Sequence, residues 1–296
     1  MSRTGRHAVP ELAHRYVLGD PLGQGGSAQV FRATDSRLDR SVAVKIFRLD
    51  GASPTQVRRY AHEARVLAEL SHPSLVALLD VGADVLPGVG PVAFLVMELV
   101  EGRTLRQLLE ADGPLDPATT ADVGRQLAHA LTHAHAAGVV HRDVKPSNVL
   151  VSAERASSGR RDAPTLPVVL ADFGIAATDA DPGSTEAGRI GTDARATAGY
   201  QSPEQALGER VGPTSDVYSL GLLLLECLTG ERAYPGDPLT AGLARLLRVP
   251  EVPEGLDGDW RRLLQAMTRS APHQRPPMAA VAAELRAMRS GVLRAS

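Results

Sequence analysis

The stretch His141-Arg142-Asp143-Val144-Lys145-Pro146-Ser147-Asn148, followed downstream by Asp172-Phe173-Gly174, decides the reading of this chain. Pro146 keeps the first string from running on as helix, so Asp143 and Asn148 belong to a loop. Their spacing lets Asp143 face an incoming hydroxyl while Asn148 turns back toward a metal ion. Lys145, two residues beyond Asp143, brings a positive charge to the same place. Asp172 adds a second hard oxygen donor, of the kind Mg²⁺ takes when it is also bound to phosphates. Packing demands alone do not account for an ordered string of this length followed by Asp-Phe-Gly.

Upstream, Gly23-Gln-Gly-Gly-Ser-Ala-Gln-Val30 lies between two strand-like stretches rather than between a strand and a helix, which argues against a dinucleotide fold. Gly23, Gly25 and Gly26 let backbone amides approach phosphate oxygens closely. Taken alone, the run reads better as an ordinary hairpin turn. In Ser41-Val-Ala-Val-Lys-Ile-Phe47, alternation puts Val42, Val44 and Ile46 on one sheet face and Ala43, Lys45 and Phe47 on the other. A lysine on an apolar strand face is costly unless paired, and Glu63, on a helix predicted over 56–70, is the partner at hand. Without the downstream motifs Lys45 would read as a snorkelling surface lysine. Those motifs reverse that weighting.

Together these residues resemble a Hanks-type serine/threonine protein kinase domain of the bacterial kind, over about residues 15–289. The resemblance implies an α+β, two-lobed fold: a small antiparallel sheet with one helix, then a larger, mostly helical lobe, with ATP between them. It implies that Lys45 holds the α- and β-phosphates and pairs with Glu63, that Asp143 is the catalytic base and that Lys145 contacts the γ-phosphate. Asn148 and Asp172 would be ligands of Mg²⁺, with Mn²⁺ as an alternative. Met97 falls at the gatekeeper, with backbone groups of Glu98 and Val100 at the hinge bonding adenine, and Val30, Ala43 and Leu150 sandwich the purine.

Ala198-Gly-Tyr-Gln-Ser-Pro-Glu204 corresponds to the end of the activation segment, with Ser202 in place of the commoner alanine. Thr197 stands where the family's threonine bonds the catalytic aspartate and lysine. Asp216 would tie a central helix to the catalytic loop, and Arg275 would pair with Glu204. The family's third glycine is here Ala28, a departure that slightly weakens the phosphate-loop reading. Lys145 fits the serine/threonine pattern, whereas tyrosine kinases place arginine and alanine in this stretch.

Arg142, read as a buried arginine beside the loop, calls for an anion, and a phosphate on the activation segment would supply one. Thr178, Ser184, Thr185 and Thr192 are the candidate sites of autophosphorylation, Thr192 being favoured for its closeness to the end motif. The partners implied are proteins bearing serine or threonine, with self-association for trans-autophosphorylation. A pseudokinase that binds without turnover and a small-molecule kinase of similar fold are the rival readings.

The expected organisation is an irregular tail at 1–14, an N-lobe and hinge at 15–100, a C-lobe at 101–289 with a loop insertion at 152–166, and a tail at 290–296. Helices are predicted over 117–137, capped by Asp116 and ended at Gly138, over 215–229, capped by Thr214 or Ser215 and ended at Gly230, and over 259–269 and 277–289. His129 and His133 share a helix face but have no third ligand nearby in sequence, so a solvated face is expected there rather than a metal site.

Bulk properties fit this organisation. A chain of 296 residues with 43% hydrophobic and 22% charged residues belongs among folded globular proteins. A net charge of −2 gives no field to draw nucleic acid or an anionic membrane. The single cysteine, Cys227, rules out an internal disulfide and sits in an apolar helix where a buried, inert thiol is expected. The lack of a signal-peptide pattern joins it in suggesting a cytoplasmic setting. The longest apolar run, 220–225, is far short of the roughly 20 residues that cross a bilayer.

Overall fold

The computed structural model describes residues 11–24, 28–49, 64, 66–153, 166–173 and 198–295. They fall into two compact units, Met1–Glu69 with Ala77–Leu99, and Leu70–Val76 with Val100–Ser296. The first is a six-stranded antiparallel sheet built from β1 (Glu11–Leu12), β2 (Tyr16–Gln24), β3 (Ala28–Asp35), β4 (Arg40–Arg48), β5 (Leu78–Leu86) and β6 (Gly90–Glu98). The strands lie in the order β1-β2-β3-β4-β6-β5.

Alternation in β4 has the expected consequence. Val42, Val44 and Ile46 join Tyr16, Leu18, Val92, Phe94 and Val96 in one apolar cluster. Ala43, Lys45 and Phe47 take the opposite face, with Lys45 Nζ 5.6 Å from the centre of the Phe47 ring. Register pairs Val30 with Lys45 and Met97 with Ala43. Directly opposed residues share a face, so Val30, Ala43, Lys45 and Met97 lie on this second face together.

The tail expected to be irregular through residue 14 is partly structured. Glu11 and Leu12 pair with Val17 and Tyr16, and burial of Leu12 accounts for the extra strand. Arg15 pins this edge, its Nε and Nη2 donating to Asp35 at 2.8 and 2.7 Å and its Nη1 to Asp80 at 3.0 Å. The hydrogen bond from Arg15 holds the Asp35 carboxyl down to about 2, against the pull of desolvation. Of the helix predicted over 56–70, Ala64 and residues 66–68 are helical, Glu69 and Leu70 are described but not helical, and the others, Glu63 included, lie outside the described residues.

The second unit comprises β7 (Gly102–Thr104), α1 (Leu105–Asp112), α2 (Pro117–Ala136), β8 (Val149–Ser152), β9 (Val168–Leu170), α3 (Pro203–Ala206), α4 (Pro213–Thr229), α5 (Pro238–Leu247), α6 (Gly258–Met267) and α7 (Met278–Ala295). Strands β7, β8 and β9 form a small antiparallel sheet. Helix α2 starts as predicted: Pro117 opens it, and Asp116 accepts from the N–H groups of Ala118 and Thr119. Gly138, just beyond it, has φ 78°, a conformation glycine adopts without strain.

Helix α4 is buried nearly all round and forms the axis of the unit. Glycines let its neighbours close in. A Cβ on Gly124 of α2 would lie 2.8 Å from Leu224, and one on Gly221 would lie 2.9 Å from Thr268. The helix begins at Pro213, not at 215, and Gly212 occupies the cap without a side-chain bond. Ser215 is diverted from capping because its hydroxyl donates to Glu204 Oε1 at 2.5 Å.

Helix α6 starts one residue before the predicted 259 and stops at Met267, and α7 runs on past 289 to Ala295. Three of the described helices, α1, α3 and α5, have no counterpart in the predicted ranges. In α1, Thr104 and Gln107 form a reciprocal capping box, and in α5, Asp237 caps the N–H groups of Leu239 and Thr240. Residues 154–165 of the predicted insertion lie outside the described residues. Among the described residues no helix is long and apolar enough to cross a membrane.

Candidate active site

The loop at 141–148 is held by α4. The Asp216 carboxylate accepts from the backbone N–H groups of His141 at 2.9 Å and Arg142 at 2.8 Å, and its Oδ2 also meets His135 Nε2 at 2.7 Å. Arg142 takes a left-handed backbone conformation, φ 67°, and its carbonyl accepts from Gln205 Nε2 at 2.8 Å. These bonds turn the chain so that Asp143 leaves the loop with its side chain 26% exposed, while Lys145 is almost fully buried.

Asp143 Oδ2 is shared. Lys145 Nζ lies 2.9 Å from it, and Asn148 Nδ2 donates to it at 3.0 Å and to the Asp143 carbonyl at 2.8 Å. No described residue bonds Oδ1. Pro146–Asn148 form a single 3-10 turn that brings Asn148 back beneath Asp143. The spacing thus works by a tight turn, with one carboxylate oxygen bonded twice and the other without a bond from a described residue.

Asp172 is set beside this turn by backbone bonding: Ala171 N–H donates to the Asn148 carbonyl at 2.8 Å. The Ala171 carbonyl faces His141 Nε2 at 3.1 Å, and the Asp143 N–H approaches His141 Nδ1 at 3.3 Å. A carbonyl can only accept, so Nε2 carries the hydrogen and Nδ1 is the acceptor. Burial pushes the His141 pKa down, in keeping with that neutral tautomer. The imidazole packs on Phe173, ring centres 4.6 Å apart, and Asp172 itself has φ 61°.

The donor set suits a hard cation. Both Nδ2 hydrogens of Asn148 are spent on Asp143, which leaves its Oδ1 for a metal, and Asp172 supplies carboxylate oxygens. Among the described residues no cluster of three or more His, Cys, Asp or Glu has metal-binding geometry. A pair of oxygen donors is what an ion needs when phosphate oxygens complete its shell.

Residues 16–285 match the protein kinase domain family. The chain belongs to this family. It is 40% identical over 291 residues to serine/threonine-protein kinase PknB of Mycobacterium leprae, covering 95% of this chain and 44% of that protein. It is 40% identical over 285 residues to PknB of Mycobacterium tuberculosis, covering 93% and 42%. With PknA of Mycobacterium tuberculosis it shares 40% over 258 residues, covering 86% and 56%. The chain thus spans less than half the length of the PknB relatives. Its architecture is the two-lobed protein kinase fold.

In the first lobe of this kinase domain, Lys45, Val30, Ala43 and Met97 share one sheet face, Glu98 ends β6, and Gly23 sits near the end of β2 opposite Val30. A Cβ on Gly23 would meet no atom of a described residue within 4 Å, so packing among the described residues does not demand glycine there. The Glu98 N–H is taken by the Ala77 carbonyl at 3.0 Å. Gly25, Gly26 and Thr197 lie outside the described residues, as do Thr178, Ser184, Thr185 and Thr192. In the second lobe, Asp143, Lys145 and Asn148 bond one another, while Leu150 and Val100 are partly buried. Arg142 is partly exposed rather than buried.

Supporting contacts expected from the motifs are present. Arg275 donates from Nη1 and Nη2 to Glu204 at 2.7 and 2.8 Å, and further to the carbonyls of Arg269, Ser270 and Thr214. Desolvation works to raise the Glu204 pKa, but the bonds from Arg275 and Ser215 win and hold it below the usual range.

Other contacts went unread in the sequence. His135 and Gln205 hold the catalytic loop, and Arg106 reaches Glu226 at 2.5 Å, with both bonded to the Tyr200 hydroxyl. Burial, then the neighbouring Glu226, pushes that hydroxyl's pKa well up. Only the spacing of Glu226 from Asp216 on one helix could have hinted at it.

Proposed function

We propose that this domain transfers the γ-phosphoryl group of ATP to serine or threonine hydroxyls of proteins. The observation that carries the reading is the Asp143 carboxylate, with Oδ2 bonded to Lys145 and Asn148 and Oδ1 left without a described partner. Oδ1 accepts the proton of the attacking hydroxyl as its oxygen bonds to the γ-phosphorus and the bond to the β–γ bridging oxygen breaks, with ADP leaving. Lys145 offsets charge on the transferring group. Lys45 holds the α- and β-phosphates with Glu63 as its partner, and the N–H groups around Gly23, Gly25 and Gly26 cradle the phosphates. Asn148 and Asp172 would hold Mg²⁺, or Mn²⁺ in its place. When bound, that ion neutralises phosphate oxygens and aligns them for in-line displacement.

Val30, Ala43 and Leu150 flank the purine beside the Met97 gatekeeper. With the Glu98 N–H engaged by Ala77, adenine would meet the Glu98 carbonyl and the backbone of Val100. Serine/threonine choice is supported by Lys145 and by the names of the relatives. Autophosphorylation among Thr178, Ser184, Thr185, Thr192 and Thr197, in trans between two copies, would give Arg142 a phosphate to bind, and the chain would act on cytoplasmic proteins.

Incubation with labelled ATP and Mg²⁺ tests this, wild type against Asp143→Asn. Label on wild-type protein and on an added acceptor, falling about 10²- to 10⁴-fold in the variant, is expected. Nucleotide binding without transfer in the wild type would favour the pseudokinase reading.

A further inference from the structure

Helix α5 carries an arginine whose burial needs a reason. Arg245 is 1% exposed, and an arginine keeps its proton at any physiological pH. Among the described residues its partners include no carboxylate. Its Nη1 donates to the Gln201 carbonyl, its Nη2 to the Ala198 carbonyl, and its Nε to the Ala241 carbonyl of its own helix at 3.2 Å. Its guanidinium lies 5.4 Å from the centre of the Tyr234 ring. That ring is fixed in turn, its hydroxyl bonding the Arg248 carbonyl at 3.0 Å and lying 3.1 Å from the Tyr218 hydroxyl. A buried cation held only by carbonyls and a ring is an expensive way to fill space, and an apolar side chain would pack there more cheaply.

What Arg245 holds is the stretch 198–201, just before α3. Ser219 Oγ takes the Tyr200 carbonyl at 2.8 Å, so with Arg245 the carbonyls of residues 198, 200 and 201 are all gripped by side chains from α4 and α5. The chain then continues through Ser202 to Gln205, whose amide reaches the carbonyl of Arg142, the residue before Asp143. Gln205 thus ties the segment to the loop that carries Asp143, while Asp216 holds the N–H groups of that loop independently. The bonds of Asn148 run the other way, to Asp143 and Ala171.

We propose that Arg245 is a positioning residue for the protein acceptor: it fixes 198–201 as the rest against which the acceptor chain lies in front of Asp143. This deepens the kinase reading and rests on it. The fork of the guanidinium suits the task, because it spans two carbonyls three residues apart while still bonding its own helix. A lysine ammonium carries the charge but lacks the planar fork.

Arg245→Met and Arg245→Lys in the full chain test the proposal through steady-state kinetics, ATP binding and amide hydrogen exchange. In Arg245→Met the KM for an acceptor protein should rise about tenfold or more, with the Kd for ATP within about twofold of wild type. Arg245→Lys should fall between. Exchange should speed up across 198–204 and stay unchanged across 141–148. Acceptor KM and exchange at wild-type levels would overturn the proposal, as would ATP affinity falling in step with acceptor affinity. Should Arg245→Met not fold, Arg245→Lys decides by the same criteria. A wild-type chain that phosphorylates no acceptor defeats the kinase reading instead, and the exchange pattern then still tells whether Arg245 holds the segment.

Discussion

Asn148 bonds Asp143 twice, its Nδ2 donating to the carboxylate Oδ2 at 3.0 Å and to the carbonyl at 2.8 Å. One side chain thus fixes Asp143, the proposed base, and keeps its remaining oxygen for the proposed cation. Asn148→Ala removes both at once. Half-saturation by Mg²⁺ should rise about tenfold and kcat should fall by more than ATP affinity does. A titration of initial rate against Mg²⁺ at saturating ATP checks this, and an unchanged Mg²⁺ dependence would count against Asn148 as a ligand.

Gly23 meets no packing demand from the described residues, since a Cβ there would find none of their atoms within 4 Å. Gly23→Ala should therefore leave the melting temperature within about 2 °C of wild type. If the turn cradles phosphates, the added methyl raises the KM for ATP by about tenfold, or roughly 1.4 kcal/mol. A variant with normal ATP kinetics would remove Gly23 from the nucleotide site.

Arg275 and Glu204 have side-chain exposures of 0% and 3%. Removing one partner leaves the other charge buried and unpaired, so Arg275→Met should cost about 3–5 kcal/mol. Urea denaturation measures it. The double variant Arg275→Met with Glu204→Gln should recover part of that loss, because the stranded carboxylate is gone.

Acid should weaken the second lobe before its carboxylates titrate. His72 Nδ1 accepts the Ser74 N–H at 3.0 Å, its ring centre is 5.7 Å from that of His133, and His129 lies one turn back on α2 with Arg286 Nη2 3.3 Å from its Nε2. Burial first, then positive neighbours (His133 and His129 at His72, Arg125 and Arg286 at His129), holds both His72 and His129 below the usual histidine range. The unfolded chain takes up protons near pH 6.5 while these folded rings do not. Unfolding thus binds protons, and stability present above about pH 6.5 is lost as pH falls below it. The urea midpoint should drop between pH 8 and 5.5, and His72→Asn, whose oxygen can still accept from Ser74, should flatten the slope. An equal slope in the variant would contradict the assignment.

The sequence was most legible where function depends on neighbours in the chain. The 141–148 string carries its own geometry because a single turn at Pro146 brings Asn148 onto Asp143. Period-two alternation in β4 likewise foretold which face Lys45 takes. From spacing on one helix the histidine face on α2 reads as solvated, because the approach of His72 from a distant segment leaves no mark in that spacing.

Illegible were the contacts made at long range by residues of ordinary local context. Arg106 and Glu226 are 120 positions apart, and Arg245 reaches back 47 to Ala198. In helix α5 only Asp237-Pro238, at its start, is a legible signal. Its large apolar residues face outward, Leu239 at 72% and Leu247 at 84% exposure, and small Ala241 and Ala244 with Arg245 face in, which inverts the usual pattern.

Arg142 and Asp172 adopt left-handed backbone angles that ordinary side chains resist, at a cost of about 1 kcal/mol or more each. Glycine or asparagine would relax both positions. A laboratory search for sturdier variants should therefore be drawn to two positions that the proposed function places beside the base and at the metal. On the proposed function, selecting this protein for robustness alone would enrich molecules that outlast the parent and do no work.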